Sequence, residues 1–392
     1  MTQTPFLSQS ETINARGAQS QRLGMFDAYR GVGCVLVMAA HMVAWLGPYV
    51  PGSGYLIVDG FFMMSGVVLA RAYDQRLADG RMSAADFMRT RLVRLYPLFF
   101  LGTALGIGAI MLSMAAHIEL RGIDTATAVS ILLNLAVLPA ISSSLGLVTP
   151  FNVPTWSLLL EIGVNFLYSA AHKFWRTNGL LAIMAVAACG LAINVFVFGQ
   201  SNLGWERHTF IGGMFRAIYS FFCGVLVQRV LSGRALKGSL LAPILQSFAS
   251  VRLHPLAPFA LLFAVMSVDI SGVGRDLYDL AGALIIMPIV IVLFMSNEVK
   301  GRLAPTLNFM GDISFGVYAL HYSVILLAAL YVPAHPGGFT DARNVIVATG
   351  MIALVIAVSA LARKGYDEPV RAWLADRTRR LQAAMFGLLR IA

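Results

Sequence analysis

Residues 26–47 read FDAYRGVGCVLVMAAHMVAWLG, and Asp27, Arg30 and His41 are the only Asp, Glu, Lys, Arg or His in that run. A helix crossing a bilayer core about 30 Å thick needs about 20 apolar residues, and this stretch supplies them. Runs of the same kind follow at 55–72, 95–116, 156–172, 179–198, 210–228, 255–270, 277–296, 312–332 and 343–362. Over all 392 residues, 58% are hydrophobic and 12% charged, with mean hydropathy +0.75. A soluble domain carries about 25% charged residues. The sequence predicts an all-α polytopic membrane protein with about ten transmembrane helices. It excludes disordered, fibrous and disulfide-scaffold classes, and it argues strongly against a soluble enzyme.

Charge orients the bundle. There are 29 Lys and Arg against 19 Asp and Glu. With the N-terminus inside, 24 of the basic residues fall on inner segments and four on outer ones (Arg121, Arg207, Arg275, Arg343), while Arg216 lies within a helix. Such an excess marks the cytoplasmic side, so the N- and C-termini are both expected in the cytoplasm. An eleventh apolar run, 127–141, is short. Letting it cross would turn Lys173, Arg176 and most later basic residues outward, so it is expected to lie at the outer surface or to re-enter. The expected layout is a disordered cytoplasmic N-tail over 1–24, a ten-helix membrane domain over 25–363 and a basic cytoplasmic C-tail over 364–392. Residues 26–47 then act as an uncleaved signal anchor. Cys34, Cys189 and Cys223 have neither metal-ligand nor disulfide spacing, and no metal is expected. The basic balance belongs to the lipid bilayer. Nucleic acid is not an expected partner, because the chain shows no base-reading or stacking platform. Gly102-x3-Gly106 carries only helix-packing weight.

Ionisable groups inside a membrane are costly and are functional candidates by default. Arg30 and His41, eleven residues apart, share one helix face about 16 Å apart along the axis. Asp27, three before Arg30, can pair with it. His41 is either a packed, hydrogen-bonded histidine or a general base or acyl carrier, since neutral imidazole accepts a proton near neutral pH. The stretch Val153-Pro154-Thr155-Trp156-Ser157-Leu158-Leu159-Leu160-Glu161 opens the fourth helix. Thr155 suits its cap, Trp156 suits the interface, and Glu161 falls about 9 Å in, near the depth of His41. Glu161 either orients that imidazole or pairs with a neighbouring helix. Asp59, near the outer end of the second helix, is either a site residue or a hydrated cap. His321, about 13 Å into the ninth, either packs or lines a site. Arg216 is expected to pair with an acid. Arg91 and Arg94, three apart at the inner end of the third helix, are either ordinary positive-inside residues or a phosphate clamp. No P-loop, H-E-x-x-H or nucleophile elbow is present.

These segments, taken in order, resemble the integral-membrane acyltransferase-3 family. Phe26-Asp27-Ala28-Tyr29-Arg30-Gly31 followed by His41 is similar to its L-D-x-x-R-G…H pattern. Val58-Asp59-Gly60-Phe61-Phe62-Met63-Met64-Ser65-Gly66 resembles V-D-x-F-F-x-x-S-G. Arg91-Leu92-Val93-Arg94-Leu95-Tyr96-Pro97 resembles R-x-x-R-x-Y-P, and Trp156-Ser157-Leu158 with Glu161 resembles W-S-L-x-x-E. Ile313 to His321 resembles I-S-Y-x-x-Y-L-x-H, with Phe315 in place of the first tyrosine and Tyr318 retained.

The resemblance implies a ten-helix acyltransferase in a bacterial inner membrane. It implies acyl-CoA, acetyl by family default, as the cytosolic donor. The acceptor is then a hydroxyl of a surface or exported glycan or a lipid-linked sugar, as in O-acetylation, with polysaccharide assembly proteins as partners. On that reading His41, Glu161 and Asp27 are the catalytic candidates, and Arg30, Arg91 and Arg94 bind the donor. Asp59, Ser65, Trp156, Ser157, Tyr318 and His321 line the substrate site. The rival is a proton-coupled exporter, since buried histidines and acids also build proton relays. Against it, the sequence has no inverted repeat.

Overall fold

A computed structural model describes residues 9–47, 50–117, 128–141, 146–236, 241–268, 270–299, 301–336 and 338–389. Fifteen α-helices occupy most of them, and a lone antiparallel bridge, Leu147 to Glu206, is the nearest approach to a sheet among the described residues. They are α1 Gln9–Ala40, α2 Val43–Leu46, α3 Leu56–Ala78, α4 Ala84–Ala115, α5 Ala128–Leu135, α6 Trp156–Ala170, α7 Thr177–Phe198, α8 Phe210–Leu231, α9 Leu241–Ser250, α10 Ala257–Met266, α11 Val273–Ala281, α12 Met287–Ser296, α13 Ala304–Tyr331, α14 Ala342–Ala362 and α15 Glu368–Leu389.

Each of the ten expected runs meets helix, but they are not equal. Seven helical stretches among the described residues are long and apolar enough to cross a membrane: Leu56–Ala78, Ala84–Ala115, Thr177–Phe198, Phe210–Leu231, Val273–Ser296, Gly301–Tyr331 and Ala342–Arg380. The other three are shorter or interrupted. At about 1.5 Å per residue, the 15-residue α6 reaches about 22 Å and the 10-residue α10 about 15 Å. The run 26–47 is broken at its histidine. There His41 N–H is shared between Val37 and Met38 carbonyls, and Met42 N–H turns to Ala39 at 2.9 Å. This shift to the tighter i→i−3 pattern ends α1. The 8-residue α5 reaches only about 12 Å, and its continuation is tied by Ala140 N–H to Val148 O at 2.9 Å. The helix is thus far shorter than a bilayer core about 30 Å thick, and residue 127 lies outside the described residues. The first helix begins at Gln9, within the expected tail 1–24, and residues 1–8 lie outside the described residues.

Apolar side chains lie outside as well as inside. Val186, Ile193, Phe196 and Val197 of α7 and Ile346, Leu354 and Leu361 of α14 are exposed, as lipid-facing helices require. The chain is a multi-pass, all-α membrane protein.

Glycines set the two crossings that hold the centre. Gly66 of α3 lies against the Phe221 carbonyl of α8, and Gly224 of α8 lies against the Met63 carbonyl of α3. A Cβ at either would strike a backbone oxygen, so these helices touch backbone to backbone. The same holds for α1 and α13: a Cβ on Gly31 would sit 2.6 Å from the Met310 carbonyl carbon, and Gly311 lies against the backbone of Asp27. The Gly102-x3-Gly106 pair packs as expected, Gly102 on the Ala319 carbonyl of α13 and Gly106 on that of Phe151.

Candidate functional site

A cavity of about 470 Å³ opens where α1, α3, α4, α6 and α13 converge. Its charged rim comes from Arg30, Arg91, Arg94, Arg363 and Arg371, with Glu161, Asp312 and Asp367. Five guanidiniums thus meet three carboxylates. Most are tied: Arg30 to Asp27 at 2.6 Å, Arg363 to Asp312 at 2.8 Å and Arg371 to Asp367 at 2.6 Å. Arg94 has no ion pair or hydrogen bond among the described residues, and the buried Nε of Arg91 is likewise unpartnered. The deeper wall is Cys34, Phe61, Ser65, Ser157 and Tyr318. Glu161 joins rim to wall. Ser65 donates a short hydrogen bond to its Oε1, Asn165 Nδ2 lies at 3.3 Å and Arg91 Nη2 at 3.4 Å. Glu161 therefore partners a serine, an amide and a guanidinium.

His41 stands beyond this cavity, half-buried at the end of α1. Its ring centroid is 5.3 Å from that of His321 and 5.5 Å from that of Tyr322. The sequence places Glu161 and His41 at similar depth and allows them to pair; the structure gives them different neighbours, Ser65, Asn165 and Arg91 for Glu161 and the rings of His321 and Tyr322 for His41. His321 is fully buried. Its Nδ1 lies 2.9 Å from the Val317 carbonyl, while its Nε2 has no partner. Tyr318 connects the two regions. Its hydroxyl binds Pro154 O at 2.7 Å and shares a short hydrogen bond with Ser157, and its ring is 6.0 Å from that of His321.

Two candidates lie elsewhere. Asp59, fully buried, is held by Arg216 Nη2 at 2.7 Å and Nε at 3.2 Å. Arg216, itself buried, also donates to the carbonyls of Leu203 (3.0 Å) and Tyr55 (3.1 Å), and its guanidinium lies over the rings of Tyr55 and Trp156. Arg216 thus finds the acid expected for it. Asp59 is held inside the protein by the guanidinium, and Trp156 is buried with the same guanidinium over its ring. Thr155 stands at the N-cap position of α6 as expected, but its side chain makes no capping bond; its hydroxyl donates back to Asn152 O at 2.7 Å.

Of the donor-site candidates, Arg30, Arg91 and Arg94 all line the cavity, and so do Glu161, Ser65, Ser157 and Tyr318. Asp27 serves Arg30 and sits fourteen residues, about 21 Å, from His41 along the helix. Arg363 and Arg371 escaped the sequence reading. They follow the last apolar run and look like ordinary inner-side charge. A wide turn over Arg363–Asp367 between α14 and α15 folds them back onto the rim, and such widened turns often mark functional positions.

The family model described as an acyltransferase domain, of the acyltransferase-3 type, matches residues 24–364. The chain is similar to "Protein 2 in picA locus" of Rhizobium radiobacter, at 32% identity over 185 residues, covering 44% of this chain and 94% of that protein. No solved structure matches.

Proposed function

The chain belongs to the acyltransferase-3 family of membrane acyltransferases, and from that premise we propose which groups it moves and with which side chains. The donor is acyl-CoA, acetyl-CoA first, entering from the cytoplasm. The acceptor is a hydroxyl of a surface or exported glycan or a lipid-linked sugar. The protein sits in a bacterial inner membrane with ten crossings and both termini inside, alongside polysaccharide assembly proteins.

One observation carries the donor assignment: a single cavity holds five guanidiniums at its rim, with Arg94 unpaired and Arg91 Nε unsatisfied. A buried donor without a partner costs about 1–3 kcal/mol, and phosphate oxygens are the acceptors that guanidiniums bind best. Arg30, Arg91, Arg94, Arg363 and Arg371 would hold the phosphates. Asp27 orients Arg30. The wall from Cys34 and Phe61 to Tyr318, with the hydroxyls of Ser65 and Ser157, takes the amide-bearing arm that carries the thioester. Glu161, held by Ser65 and Arg91, positions Arg91 and closes the rim.

His41 takes the proton of the acceptor hydroxyl, or carries the acyl group as a transient acyl-imidazole. It lies past the end of the donor cavity, where a donor reaching from one face and an acceptor from the other would meet. Tyr318 stands between cavity and histidine, so its hydroxyl is the group the thioester must pass.

The test is thiol release from acetyl-CoA by protein in lipid nanodiscs, wild type against His41→Ala, with a panel of glycan acceptors. Acceptor-dependent release lost in the variant supports the reading. Full activity of His41→Ala removes the histidine from the chemistry. Solute flux without thiol release in either protein overturns the donor assignment.

A further inference from the structure

We propose that His321 is the positioning partner of His41: its unpaired Nε2 accepts the N–H of the His41 ring and holds that ring in the tautomer that takes the acceptor's proton. The proposal rests on the acyl-transfer reading above.

The register comes first. Gly31 and Gly311 bring α1 and α13 into backbone contact, Gly31 on Met310 and Gly311 on Asp27. From that crossing each helix runs ten residues to a histidine, Gly31 to His41 and Gly311 to His321. One turn before the Asp27–Gly311 contact, Gly24 lies beside Asn308 at the same offset, so the helices run parallel. Equal ten-residue steps, about 15 Å, deliver both imidazoles to one level. Their centroids stand 5.3 Å apart.

Next comes the tautomer. A carbonyl only accepts, so the neutral His321 ring carries its proton on Nδ1, toward Val317 O at 2.9 Å. Its Nε2 is then a bare acceptor, buried and unpartnered. An orphaned acceptor of that kind costs about 1–3 kcal/mol, which a leucine at this position would avoid. The nearest titratable ring is His41, whose nitrogens make no hydrogen bond among the described residues. The two rings are not bonded in this conformation. Catalytic hydrogen bonds commonly close only when substrate is seated.

In the transfer step, His41 donates one N–H to Nε2 of His321, which leaves its other nitrogen free. That nitrogen takes the proton of the acceptor hydroxyl while the oxygen attacks the thioester carbonyl. The carbon–sulfur bond breaks, and the His41 proton passes to the leaving sulfur. The products are the ester and free CoA thiol, with both histidines as they began. His321 neither gains nor loses a proton, so it is not a catalytic residue in its own right.

Two near-isosteric variants separate positioning from packing. His321→Asn keeps a donor for Val317 O but has no acceptor at the ε position. His321→Gln places an oxygen at the ε position and gives up the Val317 bond. We expect His321→Asn to lower acceptor-dependent kcat about ten- to a hundredfold, the effect of one lost hydrogen bond to a group that becomes charged, with KM for acetyl-CoA unchanged. His321→Gln stays within about threefold of wild type. The second readout is nitrogen NMR of ¹⁵N-histidine-labelled, full-length wild-type protein with a non-hydrolysable acetyl-CoA analogue and acceptor. It should show His41 as one tautomer with a nitrogen–nitrogen coupling to His321 across the hydrogen bond. Equal activity of the Asn and Gln variants, or a His41 ring with mixed tautomers and no coupling, overturns the proposal. A fully active His41→Ala instead overturns the reading on which it rests.

Discussion

Replacing Arg216 by methionine isolates the most deeply buried charge pair near the site. Asp59 is 0% exposed and Arg216 1%. Without the guanidinium, the carboxylate keeps only Ser220 Oγ, at 3.4 Å, among the described residues; the Leu203 carbonyl loses its donor, while the Tyr55 carbonyl keeps Val58 N–H at 3.1 Å. Breaking a buried pair so that one charge remains costs about 3–5 kcal/mol, and the orphaned Leu203 carbonyl brings the expected loss to about 4–8 kcal/mol. The reciprocal change, Asp59→Asn, is milder. Arg216 keeps both carbonyls and the faces of Tyr55 and Trp156 at 5.7 and 5.8 Å, so about 2–3 kcal/mol is expected. The double variant has no uncompensated charge and should recover at least about 2 kcal/mol against the sum of the singles. Denaturant titration in mixed micelles, read by tryptophan fluorescence, measures all four corners of the cycle. Equal costs for the two singles, or additivity within about 0.5 kcal/mol, refutes the reasoning. Because Asp59 is outside the cavity lining, the folded fraction of Asp59→Asn should keep wild-type KM for acetyl-CoA.

Three other outcomes are expected. Arg94→Gln should raise KM for acetyl-CoA about ten- to a hundredfold with kcat nearly kept, since one charge-assisted hydrogen bond is worth about 1.5–3 kcal/mol; steady-state thiol release measures it. Gly31→Val should force α1 from α13 at Met310 and cost about 1–3 kcal/mol of stability, with a larger loss of transfer because the two histidines part; Gly108→Ala, with open space around it, is the silent control. In a background with the three native cysteines replaced by alanine, a cysteine at position 343 should react with a membrane-impermeant maleimide in intact cells and one at position 76 should not. The reverse pattern inverts the proposed orientation.

The legible part of this molecule is the part set by solvent. Lipid tolerates neither open backbone nor scattered charge, so the apolar runs announce helices, and the few ionisable residues within them announce candidates. The run 55–72 became α3 and 210–228 became α8 with little adjustment. Thus Arg30, Arg91, Arg94, Glu161, Ser65, Ser157 and Tyr318 could be singled out from one chain and are found on one cavity. Partners are less legible than positions. Depth along a helix allowed Glu161 to meet His41, but depth says nothing of which neighbour lies between.

The sequence by itself determined a polytopic helical membrane protein, its apolar runs and the ionisable residues they carry, because helix length and hydropathy are local quantities. Only the tertiary structure decided who meets whom. Glycine contacts between α1 and α13 set His41 beside His321, and the wide turn after α14 returned Arg363 and Arg371 to the rim. Arg216 took Asp59 and the face of Trp156 for the interior. Helix crossings fix such pairings through backbone contact between residues hundreds of positions apart, and no local pattern of hydropathy encodes them.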